Sequence, residues 1–206
     1  MKKVDQYLDD ISSIKEMMEK SSKFLSLSGL SGILAGTYAL IGAIAAYHYV
    51  FQDSQYQEYK IIIPTRQNLY MILFIASAVI LLSLATGYLL SRRKAKKNGY
   101  KMWDKQIRRF AVSFMIPLVT GGILCIILVH KGFIGLIAPL TLIFYGLALV
   151  NASAFTYSET RWLGIAEIII GMLAFFNIGY SLVYWAVGFG VLHIIYGAFM
   201  YFKYER

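Results

Sequence analysis

Two stretches of this sequence place ionisable groups among apolar residues at a spacing that chemistry can use. One reads Gly164-x-x-Glu167-x-x-x-Gly171 and the other Gly190-x-x-His193-x-x-x-Gly197, with only the turn Gly179-Tyr180-Ser181 between their two apolar runs. Folding the pair as an antiparallel helical hairpin about Tyr180 sets Gly164 opposite Gly197 and Gly171 opposite Gly190. Glu167 then comes level with His193 or Ile194. Glycines seven residues apart share one helix face, and small residues let two membrane helices approach closely. The reading therefore makes Gly164, Gly171, Gly190 and Gly197 helix-packing residues and brings Glu167 and His193 together inside the bundle.

A carboxylate at the centre of a bilayer costs about 2.5–3.5 kcal/mol on insertion scales, so it takes a proton or finds a partner. Glu167 and His193 are accordingly the expected ligand or proton site. The structural alternative is an interhelical hydrogen bond that fixes the hairpin, worth about 0.6 kcal/mol on average in membranes. Pro117, Gly121 and Gly122 in one run, and Gly135 and Pro139 in the next, are candidates for helix breaks at the midplane, where freed carbonyls can line a site. Ordinary kinks are the alternative reading.

Other chemistry is not encoded in any motif. The chain has no phosphate-binding glycine loop, no His-Glu zinc-protease pattern and no Gly-x-Ser-x-Gly elbow. No catalytic residue is assigned, and an enzyme is the less favoured reading. Its single cysteine, Cys125, lies in an apolar run and reads as a packing residue. His48 and His130 share a depth near one membrane face but lack further ligands, so neither a metal nor another cofactor is expected. Asn151 and Asn177 read as caps or hydrogen-bonded packing residues.

The elements that must position Glu167 and His193 are transmembrane helices. Of the 206 residues 58% are hydrophobic and 15% charged, against about 45–50% and about 25% in soluble domains. A soluble chain this small leaves too much of such surface in water. Spans of roughly 20 apolar residues are predicted at 24–51, 68–90, 110–129, 133–150, 162–178 and 182–202. The fold class is thus an all-α, polytopic, six-helix transmembrane bundle over residues 24–206. Tight turns at His130-Lys131-Gly132 and at Gly179-Tyr180-Ser181 join spans three and four and spans five and six. Thr156 and Glu159 have capping-box spacing and predict a start for helix five near Tyr157. Gly29, Gly32 and Gly36 in span one repeat the spacing of Gly164, Glu167 and Gly171, which common packing needs explain.

Charge orients the bundle. With the N-terminus inside, the inside segments hold 17 Lys and Arg and the outside segments 3, so the positive-inside rule places both ends in the cytoplasm. Tyr100, Trp103 and Trp162 suit an interfacial belt on that side. The run Arg92-Arg93-Lys94-Ala95-Lys96-Lys97 reads first as an orientation signal; it is also the candidate contact for anionic lipid or an acidic partner. Residues 1–23 carry ten charges and no signal-peptide core, so the first span is expected to act as its own insertion signal. Within them Val4, Tyr7, Ile11, Ile14 and Met18 form one apolar face of an amphipathic helix, suited to the membrane surface, the basic loop or a partner.

The net charge of +9 is explained by this orientation, and no nucleic-acid partner is expected. The bilayer itself is the first partner, with a homo-oligomer or a second membrane protein as further candidates. The expected location is a cell membrane, by its compact loops a bacterial cytoplasmic one. Two functions lead, with an intramembrane enzyme or haem-binding protein as a weaker third. One is a small transporter or channel-like protein using Glu167 and His193. The other is a structural or regulatory membrane protein acting through partners or anionic lipid.

Overall fold

The computed structural model describes residues 28–51, 66–97 and 105–206. The amphipathic arm at 1–23, the connection 52–65 and the loop residues Tyr100 and Trp103 lie outside the described residues. Every long element is helical, and no strand occurs among the described residues. Helix α1 is Gly29–Ala46 and runs on into a π-helical turn, Tyr47–Phe51. Helices α2 (Arg66–Lys97), α3 (Lys105–His130), α4 (Ile137–Ala152) and α5 (Glu159–Phe176) follow. The last helical run is Ile178–Tyr204. It contains α6 (Ser181–Trp185), a π-helical segment (Ala186–Leu192) and α7 (His193–Tyr204).

Five helices are long and apolar enough to cross a membrane: Gly29–Val50, Gln67–Lys97, Lys105–His130, Ile134–Phe155 and Ile178–Tyr204. This is the build of a multi-pass membrane protein. Their outward faces agree, since Phe74 and Leu84 on α2 and Ile116 and Ile126 on α3 are exposed. Helix α5, with 18 residues, carries Glu159, Arg161 and Glu167 and is not among the five.

Hydropathy marks where charge begins, and a helix need not stop there. Helix α2 passes the predicted boundary at Leu90 and ends at Lys97, and α3 starts at Lys105, ahead of the predicted Phe110. Lys and Arg are good helix formers, so the basic ends stay helical. At about 1.5 Å per residue, the 32 residues of α2 span about 48 Å, more than a hydrocarbon core of about 30 Å.

The turn after α3 closes as the sequence predicts. Gly132 has φ 84°, a conformation that a Cβ disfavours. The Phe133 amide donates to the Leu128 carbonyl at 2.9 Å and the Gly132 amide to the Val129 carbonyl at 3.1 Å. These two bonds satisfy carbonyls that the helix end would leave unpaired.

The predicted midplane breaks are corrected. Helix α3 runs unbroken through Pro117, Gly121 and Gly122. Pro139 falls in the first turn of α4, where proline's missing amide removes no helical bond. Gly135 lies in the 3-10 turn Ile134–Leu136 just before it. The irregular backbone occurs elsewhere, in the π-helical segment Ala186–Leu192 directly before His193.

Helix packing is also redistributed. Helix α4 packs between α3 and α5, while α1 packs between α2 and the last helical run. Where α5 meets the last run, it does so chiefly at α6 and the π-helical segment.

Candidate functional site

Glu167 lies midway along α5, about 12 Å of helix from its first residue. It is 0% exposed, and His193 is 6% exposed. The two meet across the hairpin, with His193 Nδ1 3.3 Å from Glu167 Oε1. The contact is an ion-pair distance without hydrogen-bond geometry, for neither oxygen of Glu167 has a hydrogen-bond partner. His193 Nδ1 is instead 3.1 Å from the Gly188 carbonyl. A carbonyl only accepts, so Nδ1 carries the proton and donates it to Gly188. On the other side of the ring, Nε2 is 2.8 Å from the Tyr145 hydroxyl. With Nδ1 protonated, a neutral imidazole accepts there from Tyr145, and an imidazolium donates.

The π-helical segment builds this arrangement. Its wider turn brings the Gly188 carbonyl within reach of the imidazole five residues later, and π-turns concentrate at functional sites. Gly188 also makes room for the carboxylate. A Cβ there would lie 2.5 Å from Glu167 Oε2 and would collide with Leu142. Leu142 is itself 0% exposed. The carboxyl group is therefore enclosed by Gly188, Leu142 and His193.

Tyr145 is the residue of this site that sequence reasoning missed. It is one of 16 tyrosines, with no distinguishing neighbour. Only the packing of α4 against the hairpin brings it to His193. It also joins an aromatic row. Its ring centroid is 5.9 Å from Phe114 on α3, 5.0 Å from Phe189 and 5.4 Å from His193. Trp185 continues the row 5.0 Å from Phe189.

The hairpin register and the hairpin face separate. Polar contacts join α5 and its C-cap Asn177 to the last run at matching depths. Glu159 meets Lys203 at 2.5 Å, Thr160 meets Tyr196 at 2.9 Å, Glu167 meets His193, and Asn177 meets Tyr184 at 3.4 Å. The glycines predicted to pack these helices on each other do not. A Cβ on Gly164 would lie 2.7 Å from the Gly146 carbonyl oxygen, and one on Gly171 would lie 3.0 Å from the Pro139 carbonyl oxygen, both in α4. Gly197 is set against Gly29 and Ile33, and Gly190 against Leu40, all in α1. At 100° per residue, Glu167 lies about 50° around the helix from the line of Gly164 and Gly171. The glycine stripe can therefore face α4 while Glu167 reaches the neighbouring helix.

At the end where α5 begins, acidic side chains tie helix ends together. Glu205 accepts from the Gly29 amide at 2.6 Å and from Ser28 Oγ at 3.2 Å. It thus supplies a cap that the N-cap residue Ser28 does not, with its negative charge at the positive end of the helix dipole. Lys94 Nζ bonds Glu205 at 3.1 Å and Tyr157 at 3.4 Å. Lys94 thus turns inward, as do Ser91 and Ala95, and Arg92, Arg93, Lys96 and Lys97 remain exposed. The cap of α5 differs from the capping-box expectation: the helix starts at Glu159, with Ser158 as its N-cap. Glu159 binds Lys203 and accepts from the Tyr204 hydroxyl at 2.8 Å.

The remaining candidates sit apart from Glu167. Asn151 donates to the Ser113 carbonyl at 2.6 Å, joining α4 to α3. His48 is in the π-turn after α1 and His130 ends α3. Among the described residues no three His, Cys, Asp or Glu side chains converge on one point. An open surface cleft lined by Gln67, Tyr70, Met71 and Phe74 belongs to α2 alone.

No protein-family model, curated protein or solved structure matches this chain.

Proposed function

We propose that this chain is a six-span membrane protein with both ends in the cytoplasm, and that Glu167, His193 and Tyr145 form a proton-binding site serving transport of a second solute. The observation that carries the reading is the state of Glu167. It is fully buried and both its oxygens lack hydrogen-bond donors. A buried charge without such partners is costly. Glu167 is accommodated as a neutral acid or against an imidazolium at His193, and the choice between these states is a choice of where a proton sits. A residue serving only to hold helices together would use its oxygens on donors, and this one does not.

The span count is supported by helix length and matched ends. The 18 residues of α5 give about 27 Å, close to a hydrocarbon core of about 30 Å. Its two ends meet the two ends of the last helical run through Glu159–Lys203 and Asn177–Tyr184. The orientation rests on the Lys and Arg distribution, and the compact loops suit a bacterial cytoplasmic membrane.

One observation favours the second reading, a structural or regulatory protein. Gly188 and Leu142 close over the carboxylate, which suits a static bundle. The basic helix ends around Arg92, Arg93, Lys96 and Lys97 would then contact anionic lipid or a partner, with homo-oligomerisation as another outlet.

The two readings divide on proton flux in proteoliposomes carrying an internal pH dye. Transport through this site predicts flux that Glu167→Gln abolishes while the variant stays folded. Equal flux in wild type and variant would remove Glu167 from the mechanism and leave the structural role.

A further inference from the structure

We infer that Thr160 and Tyr196 form the proton route to Glu167, and that the route leads to the end where α5 begins, the cytoplasmic end in the proposed orientation. This rests on the proton-site reading and adds the residues that load the site and the side it loads from. The need for a route follows from the enclosure. Glu167 is 0% exposed, behind Gly188, Leu142 and His193, so a proton reaches it by passing along neighbouring groups. Such passage needs groups that both accept and donate, as hydroxyls do.

The two directions out of the site differ. Toward the turn at Gly179, every residue of α5 from Ile168 to Phe176 is apolar. Gly171 in that stretch packs on Leu142 and Ile143 of α4. The next polar contact between the helices is Asn177 with Tyr184, about 15 Å of helix away. Toward the start of α5 the interface is polar. Thr160 is 3% exposed, and its hydroxyl is 2.9 Å from the Tyr196 hydroxyl. One residue before it, Glu159 meets Lys203 and Tyr204 at the helix end.

Position along the helices makes these groups successive. Thr160 and Glu167, seven residues apart, share one face of α5. Tyr196 follows His193 by three residues and neighbours it on α7. The hairpin register is set by Glu159 with Lys203 and Glu167 with His193. By that register the Tyr196 backbone stands between Thr160 and Glu167 in depth. The titratable groups along the route are Glu159, Lys203, Tyr204, Tyr196, His193 and Tyr145. Helix α1 meets this stretch of the last run with Gly32 and Gly36.

The transfer balances. Each hydroxyl takes a proton on its oxygen and releases the one it carried. One proton enters at Thr160, one arrives at Glu167, and Thr160 and Tyr196 end unchanged. Release runs the same steps in reverse.

The test is hydrogen–deuterium exchange at the Glu167 carboxyl, read by infrared spectroscopy of the purified full chain in ester-free detergent after transfer to D₂O. The Glu167 band is the acid carbonyl band that Glu167→Gln lacks at the same acidic pH. Tyr196→Phe and Thr160→Val each remove one hydroxyl and should slow the shift of that band on the order of 10²-fold, the low end for a positioned proton-transfer group. Thr160→Ser keeps a hydroxyl and should exchange as wild type does. Tyr184→Phe, on the other side of the site, should leave the rate unchanged. A purely structural role moves the rate the other way, because losing an interhelical bond eases local opening and speeds exchange. Thermal unfolding checks that each variant is folded, and either hydroxyl variant alone decides the question.

Exchange at wild-type speed or faster in Thr160→Val or Tyr196→Phe overturns the inference. So does equal slowing in Tyr184→Phe, or the lack of any acid band that Glu167→Gln removes. If proton flux in proteoliposomes still depends on Glu167 after such a result, the route falls and the proton site stands. Flux that ignores Glu167 removes the transport reading on which the route rests.

Discussion

Gly188→Ala tests the seating of the Glu167 carboxylate without touching a titratable group. The added Cβ would lie 2.5 Å from Glu167 Oε2 and 3.3 Å from its carboxyl carbon. A carbon and an oxygen in ordinary contact are about 3.3–3.6 Å apart, so the carboxylate must move by about 1 Å. It has no free space to move into, since Glu167 and Leu142 are both 0% exposed. Overpacking of this kind costs about 1–3 kcal/mol. The Cβ also meets Leu142 Cδ2 at 2.4 Å, and alanine in place of glycine in a helix returns up to about 1 kcal/mol, so the single variant mixes three effects.

A double-mutant cycle with Glu167→Ala separates them. The propensity gain and the contact with Leu142 are common to both backgrounds and cancel, and the collision with the carboxylate exists in one only. The expected coupling is about 1–2 kcal/mol. In thermal unfolding followed by tryptophan fluorescence, at about 3 °C per kcal/mol for a chain of this size, Gly188→Ala should be about 3–6 °C less harmful in the Glu167→Ala background. The same variant should alter proton flux in proteoliposomes, because it displaces the carboxylate from His193. Coupling within about 0.5 kcal/mol of zero, with wild-type flux, would refute the claim that Gly188 and Glu167 share this packing.

Glycine substitutions should divide by position. Gly164→Ala puts a Cβ 2.7 Å from the Gly146 carbonyl oxygen and should lower Tm by about 3–9 °C, whereas Gly122→Ala meets nothing within 4 Å and should hold or raise it. The Glu159 ion pair should be acid-labile. Partial burial alone would raise the Glu159 pKa, but the bonds from Lys203, its own backbone and Tyr204 outweigh it and bring it from 4.5 to about 2. A depressed carboxylate contributes stability that is fully present above the unfolded value and lost as pH falls through the folded one. The Tm difference between wild type and Glu159→Gln should therefore be constant above about pH 5, shrink progressively as pH falls below 4.5, and vanish only below the folded value of about 2; a difference that stays constant from pH 5 down to about pH 1 would contradict the pairing.

What one strand of sequence determines here is what depends on local composition and on distance along the chain. Apolar runs long enough to cross a bilayer declare themselves, because the cost of exposing them to water is additive along the helix. The turn at Gly132 is legible because its left-handed φ calls for glycine. The depth match of Glu167 with His193 is legible too: two antiparallel helices joined by a short turn have a fixed rise per residue, so the turn sets which residues come level. Face is a different quantity. Which neighbour the Gly164–Gly171 stripe meets depends on how all the helices are arranged, and the arrangement gives it to α4, with Gly190 and Gly197 given to α1.

The same limit hid Tyr145, which reaches His193 only because α4 packs beside the hairpin. It hid the Glu205 cap on the Gly29 amide, which spans 176 residues of chain. The π-helical segment before His193 is likewise a tertiary result, for it sets the imidazole against Gly188, Tyr145 and Glu167 together. Pairwise depth follows from the chain's own geometry; the choice of helix neighbours, and with it the environment of Glu167, is decided only when all the helices pack at once.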